Sequence, residues 1–351
     1  MKSIIKLILL LTLIVPLVSF AQHESAHIEG DTAEHKDNEF NPGETIMHHI
    51  GDSHEWHFAT IGEKHISLPL PVIIYSQEKG LTTCMSSAFH HGEQAYNGYK
   101  LEHDHIVSEN PDEKFYDLSI SKNVASLLIS VILLLIVFIS IANRYKSNPQ
   151  TAPRGMQSFF EPIIIYIRDD IAKSMIGPKY QRFMPYLLTV FFFIWFNNLL
   201  GLMPGGANLT GNIAVTAVLA IFTFIITSFS GNKYYWGHIF NPPGLPLPIK
   251  FLMVPIEVIS LFTKPFSLMV RLFANISAGH IIILSLLSLI FIFKSAFASL
   301  ISLPFAMFMM GLELFVAILQ AYIFTLLSAM YFSAAVEEHA HDDHDLDKAM
   351  Y

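Results

Sequence analysis

Five apolar stretches, at about 121–143, 184–203, 212–230, 251–292 and 296–335, decide what this chain can fold into. A helix needs ~20 apolar residues to cross a bilayer, and each run is close to that length or longer. Only 14% of the 351 residues are charged and 52% are hydrophobic, which is too little charge to clothe a soluble domain of this size. Lipid offers backbone groups no hydrogen bonds, so the runs predict helices. The expected fold is an all-α polytopic membrane protein with five transmembrane helices.

Lys2 and Lys6, the apolar run Leu7–Val18, and Ser19 and Ala21 form a signal-peptide pattern over 1–21, with cleavage expected after Ala21. Cleavage would leave residues 22–118 on the outer side of the membrane. That region holds 18 Asp/Glu against 5 Lys/Arg. Residues 22–45 have little to bury and are expected to be disordered. Within 46–118, Trp56-His57-Phe58 and the run Ile66–Val72 alternate as strands do, and Gly80 and Gly92 punctuate them, so a small β-containing outer region is expected. Its twelve histidines make no tight motif beyond the pairs His48-His49 and His90-His91. They read as a solvated, titrating set, and no metal site is expected. Cys84 is alone, which excludes an internal disulfide and a Cys-x-x-Cys pair. No basic, aromatic-laced patch points to nucleic acid.

Charge sets the topology. Residues 144–182 carry seven basic and three acidic side chains, and 231–250 carry Lys233 and Lys250 with no acid, whereas 204–211 carry no charge. Basic loops stay inside, so the first two are predicted cytoplasmic and the third external. This agrees with the signal peptide and places the acidic tail, 339–351, in the cytoplasm as a mobile segment. Residues 155–178 read as an amphipathic surface helix, with Phe159, Phe160, Ile163, Ile164 and Ile167 on one side and Arg168, Asp169 and Lys173 elsewhere. Asn197 and Asn198 interrupt the second span and read as helix–helix hydrogen bonds.

The chemistry is concentrated in the last two runs. Glu257, Ser260, Lys264, Ser267, Arg271 and Asn275 follow at spacings of 3, 4, 3, 4 and 4, one polar face of a helix. Lys264 either belongs to this face or snorkels to the interface. An Arg near the bilayer centre costs roughly 2.5–3.5 kcal/mol on insertion scales, so such a face meets protein or water. His280 lies nine residues beyond Arg271, about two and a half turns, and projects from the opposite face. Polar groups thus switch faces past Asn275, which suits two offset aqueous pockets rather than a straight pore. In the last run Glu313 and Gln320 share a face, and a lone buried carboxylate needs a partner, for which His280 is the natural candidate. Periodicity alone leaves open whether each forty-residue run is two short spans or one long helix.

Residues 257–280, EVISLFTKPFSLMVRLFANISAGH, and 313–327, ELFVAILQAYIFTLL, resemble the two signature helices of the a subunit of F-type ATP synthase. The resemblance covers roughly 119–338 and leaves 22–118 unexplained. It implies that the last two runs are long, tilted single helices against a rotating ring of c subunits, with the mature N-terminus outside and the C-terminus inside a bacterial inner membrane. It implies a non-catalytic, proton-translocating subunit without a cofactor, partnered by the c-ring, the b subunits of the peripheral stalk and, through the stalk, the soluble ATPase head. Arg271 matches the essential arginine. Glu257 and Ser260 match the cytoplasmic exit path, Asn275 and Gln320 match polar positions near the arginine, and His280 and Glu313 match the outer access path, with Lys264 and Ser267 as supporting residues. Many bacterial members carry Glu and His the other way round. Where many carry Asp near the end of span two, this chain has Gly201. Two other classes compete: a secondary transporter, which predicts repeated halves that are not evident, and a metal-uptake protein, which predicts ligands continuing into the spans, where only His280 lies.

Overall fold

The computed structural model describes residues 50–337, apart from 62–63, 93, 103, 112, 148–151, 204, 243–245 and 294, together with 43, 46 and 47. The expected signal peptide, nearly all of 22–45 and the tail at 339–351 lie outside the described residues.

Among the described residues the outer region has seven short strands: β1 (Glu55–Ile61), β2 (Lys64–Pro69), β3 (Pro71–Ser76), β4 (Gly80–Met85), β5 (Tyr99–Glu102), β6 (His105–Ser108) and β7 (Phe115–Asp117). They pair as β1–β2, β4–β3–β7 and β5–β6, all antiparallel. Gly80 closes the β3–β4 hairpin at φ 72°, a conformation that favours glycine. Alternation along β3 turns Val72 and Ile74 inward to a core completed by Phe89, Tyr99 and Ile106. Beside that core the buried Glu113 carboxylate accepts from Lys79 Nζ (2.8 Å), Tyr99 OH (2.6 Å) and Ser108 Oγ (2.8 Å). Lys79, Tyr99 and Ser76 hold this carboxyl down to about 2.

One of the outer histidines departs from the solvated set expected. His54 is buried, with Nδ1 against the Asp104 carbonyl (2.9 Å) and Nε2 against Asp117 Oδ2 (3.2 Å). Burial works against a charged imidazole, but the Asp117 carboxylate and the Asp104 carbonyl outweigh it and raise His54 above its ordinary value. A raised histidine stabilises the fold fully below its unfolded value, and that contribution is lost as pH climbs through the folded one. Limited proteolysis of the outer region in the intact chain should therefore be slower at pH 6 than at pH 8.5. His54→Gln should remove most of that difference; an unchanged difference would assign it to another group.

Five helices among the described residues are long and apolar enough to cross a membrane. The first is α1 (Lys122–Ser147). Asp52 reaches over from the outer region to its first turn, accepting from Asn123 N (3.0 Å) and Ser121 Oγ (2.7 Å). The amphipathic segment is α2 (Met156–Tyr166), which continues through a wider helical turn at Ile167–Lys173. Its buried side is Phe160, Ile167 and Ile171, whereas Phe159 is 58% exposed. Successive residues are about 100° apart on a helix, so Phe160 turns inward to the protein while Phe159 faces outward. Helix α3 (Tyr180–Gly201) is the central one, and α4 (Ile213–Ser230) follows. A short helix absent from the sequence reading, α5 (Lys233–Phe240), begins where the Asn232 side chain accepts from Tyr235 N at 2.8 Å.

The two long runs are single helices, α6 (Leu247–Phe293) and α7 (Ala296–Val336). Pro255, Pro265 and Pro304 lie inside them without ending them. A helix of 47 residues is on the order of 70 Å long, more than twice a hydrocarbon core of ~30 Å, so α6 can stay in a membrane only strongly tilted. Polar staples join α3, α4 and α7: Tyr186 OH meets Thr223 Oγ1 (2.7 Å), and Thr223 meets Ser328 Oγ (3.5 Å). The least covered spans are α6 and α7, with 22% of the apolar window of each buried, against 67% for Met156–Gly201.

Candidate functional site

Helices α3, α6 and α7 meet at a buried acid–base pair. His280 Nδ1 contacts Glu313 Oε1, and His280 Nε2 lies 3.2 Å from the Gly201 carbonyl. Glu313 is 5% exposed, and its Oε2 is buried without a hydrogen-bond partner. A Cβ at position 279 would lie 3.0 Å from Glu313 Oε1, so any side chain there would push the carboxylate out of place. Gly279 thus lets α7 approach α6 closely enough for the pair to touch.

Gly201 decides how many protons the pair holds. A carbonyl only accepts, so Nε2 carries a hydrogen. The neutral ring then has no hydrogen on Nδ1, and an ionised Glu313 would face a lone pair. The Nδ1–Oε1 contact therefore needs one proton, carried as imidazolium–carboxylate or as imidazole–carboxylic acid. Gly201 takes part through its backbone, which no side-chain motif could reveal.

The end of α3 and the turn before α4 are secured from several sides. Asn198 donates from Nδ2 to the Ala317 carbonyl of α7 (3.0 Å) and accepts from Thr210 Oγ1, while Ser277 on α6 donates to the Gly211 carbonyl (3.2 Å). Asn198 is thus the helix–helix tie expected. Asn197 is not: it bonds back within its own helix to Phe193 O (2.7 Å).

Arg271 faces the other way. Ser267, Arg271 and Asn275 are exposed on α6, with the small residues Ala274 and Ala278 beside them. Among the described residues no carboxylate pairs with Arg271. The polar face proposed for 257–275 exists, but its surroundings change along its length. Toward its N-terminal end it is covered: Glu257, Ser260 and Lys264 line a cavity of 420 Å³ with Tyr234, Tyr235 and His238 of α5 and Glu337 beyond α7. Lys264 turns inward, its Nζ 5.9 Å from the centre of the Tyr331 ring, rather than snorkelling away. Gln320 is buried (4% exposed), seven residues from Glu313, and no hydrogen bond joins it to Arg271 among the described residues. The structure therefore brings together His280 with Glu313 and Glu257 with Ser260 and Lys264, and among the described residues no hydrogen bond joins Gln320 to either group. His238 and Tyr235 escaped the sequence reading because α5 was read as loop.

The model of the ATP synthase A chain family matches residues 124–333. The chain belongs to that family. ATP synthase subunit a of Chlorobium phaeobacteroides is 39% identical over 94% of this chain and 86% of its own length. ATP synthase subunit a 2 of Chlorobaculum tepidum is 40% identical over 92% and 82%. ATP synthase subunit a of Chloroherpeton thalassium is 48% identical over 65% and 69%. Alignments over more than nine-tenths of the chain reach well into 22–118, further than the signature helices suggested. A second model, a domain of unknown function (DUF8433), matches residues 45–127, which span the strands of the outer region.

Proposed function

We propose that this chain carries protons between the two sides of the membrane along two offset half-paths divided by Arg271, as the a subunit of an F-type ATP synthase. The observation that carries the reading is the arrangement on α6, where His280 turns inward to Glu313 while Arg271 turns outward, exposed and without a carboxylate of its own. An unpaired cation on an apolar surface calls for an acid from another chain. A carboxylate of the c-ring fits that need, and Ala274 and Ala278 leave room for a neighbouring helix.

A proton from the outer side reaches the His280–Glu313 pair, which already holds one and can pass one on. It neutralises a ring carboxylate, which can then rotate into lipid. A protonated carboxylate arriving from the other direction reaches the covered end of α6 and releases its proton past Glu257 and Ser260, with Lys264 nearby. Arg271 stays protonated and favours the ionised carboxylate between the two paths. Each charge crossing 100 mV gains ~2.3 kcal/mol to drive the rotation. The orientation follows from the loop charges: the mature N-terminus outside, the C-terminus in the cytoplasm, the host membrane the inner one. Residues 1–21 act as a cleaved signal, 22–118 as an extracytoplasmic region, 119–338 as the membrane domain and 339–351 as a tail. The chain does no ATP chemistry itself.

Mild detergent extraction of a tagged chain should recover a c-ring, b subunits and a soluble ATPase head in one complex. Recovery of the chain alone, with ion transport retained, would favour a secondary transporter.

A further inference from the structure

The outer region is not merely tethered to the first span. Trp56 is 9% exposed and packs with Leu70 on Ala207 and Ala125, so a residue of β1 sits against the loop between α3 and α4 and against α1. Its indole Nε1–H donates to the Gly205 carbonyl at 2.6 Å. The loop it grips is the one that begins at Gly201. Gly206 is folded so tightly over the end of α3 that a Cβ there would come 2.1 Å from the Leu200 carbonyl and 3.2 Å from the Gly201 carbonyl. Gly206 N–H also donates to the Met203 carbonyl at 2.7 Å, so described residues on both sides of position 204 are held against the end of α3.

We propose that the outer domain is a fixed lid on the outer access path, and that Trp56 is a positioning residue for it. By holding Gly205, Trp56 keeps the Gly201 carbonyl aimed at His280 Nε2 and so sets how readily the His280–Glu313 pair takes up a proton. This rests on the proton-path reading above. On the lid itself His54 titrates two residues from Trp56, so His54→Gln is carried in the background of each variant. Glu313 of α7 touches His280, and Tyr322 lies nine residues further along α7. On α6 the charges from Lys250 to Arg271 lie toward the opposite end, the titratable groups of α3, Tyr180, Arg182 and Tyr186, lie at its far end, and the 209–211 turn carries none.

The test uses the whole ATP synthase in liposomes, with ATP synthesis followed while the pH of each side is varied separately. Trp56→Phe keeps a ring in the packing and removes the N–H. Loosening the carbonyl to which Nε2 donates should change how the pair exchanges its proton with the outer side, so the half-maximal point on the outer side should move. The profile on the other side should stay where it is. Leu70→Val, which thins the packing under the indole and keeps the N–H, should shift the outer profile the same way by less, and it decides the matter if Trp56→Phe fails to assemble. An unmoved outer profile in an assembled variant, or equal movement on both sides, overturns the lid. His280→Ala is measured alongside: synthesis surviving that change defeats the proton-path reading itself, whereas its loss together with an unmoved Trp56→Phe profile defeats only the lid.

Discussion

Arg271→Ala should abolish proton-driven ATP synthesis and leave the subunit assembled in its complex. The two halves of that outcome come from the same geometry. Arg271 is exposed on α6 and makes no ion pair within the described residues, so its removal breaks no salt bridge between the helices. On insertion scales an arginine deep in a bilayer costs roughly 2.5–3.5 kcal/mol, so the alanine variant sits in lipid at least as comfortably. What is lost is the permanent charge between the His280 end and the Glu257 end of the helix. Without it a ring carboxylate has no reason to ionise there, and protons can pass from one half-path to the other without turning the ring. Arg271→Lys should recover little, because a desolvated lysine can lose its proton and offers no planar fork. The measurement is ATP synthesis in energised vesicles beside the amount of complex recovered. Coupled synthesis in the alanine variant would end the divider role.

How much of this could be read in the sequence depended on whether a side chain announced it. The spans were legible because lipid admits only runs of apolar residues with their backbone paired. The structure has helices over those runs, at Lys122–Ser147, Tyr180–Gly201, Ile213–Ser230, Leu247–Phe293 and Ala296–Val336. The continuity of α6 and α7 was not legible from periodicity. Outside the polar face of α6 both are apolar, and their prolines usually signal breaks in water. The strands at Trp56 and Ile66 showed their alternation, whereas β5, β6 and β7, of three or four residues each, are too short to show one. At the site, His280 and Glu313 were legible as a partnerless acid and a base on the face opposite Arg271. The Gly201 carbonyl was not, because the functional atom belongs to the backbone. Gly279 was not, because its contribution is the absence of a side chain.

That backbone carbonyl also changes what exchanging the acid and the base should do. His280→Glu alone puts two carboxyl groups in contact, and Glu313→His alone puts two imidazoles there. Each loses the matched pair, and each should cut proton-driven synthesis by roughly 10²-fold or more, the scale of a displaced acid–base group. The double change restores one acid and one base in contact, so it should retain clearly more activity than either single variant; purely additive losses would show that the two side chains act independently. It should nonetheless fall short of the natural chain. A glutamate at 280 turns an oxygen toward the Gly201 carbonyl, which accepts only, so position 280 must then keep a proton on that oxygen. The exchanged pair is therefore expected to show an outer pH profile different from that of the natural pair. A double variant with the natural profile would mean that the Gly201 carbonyl plays no part in holding the proton.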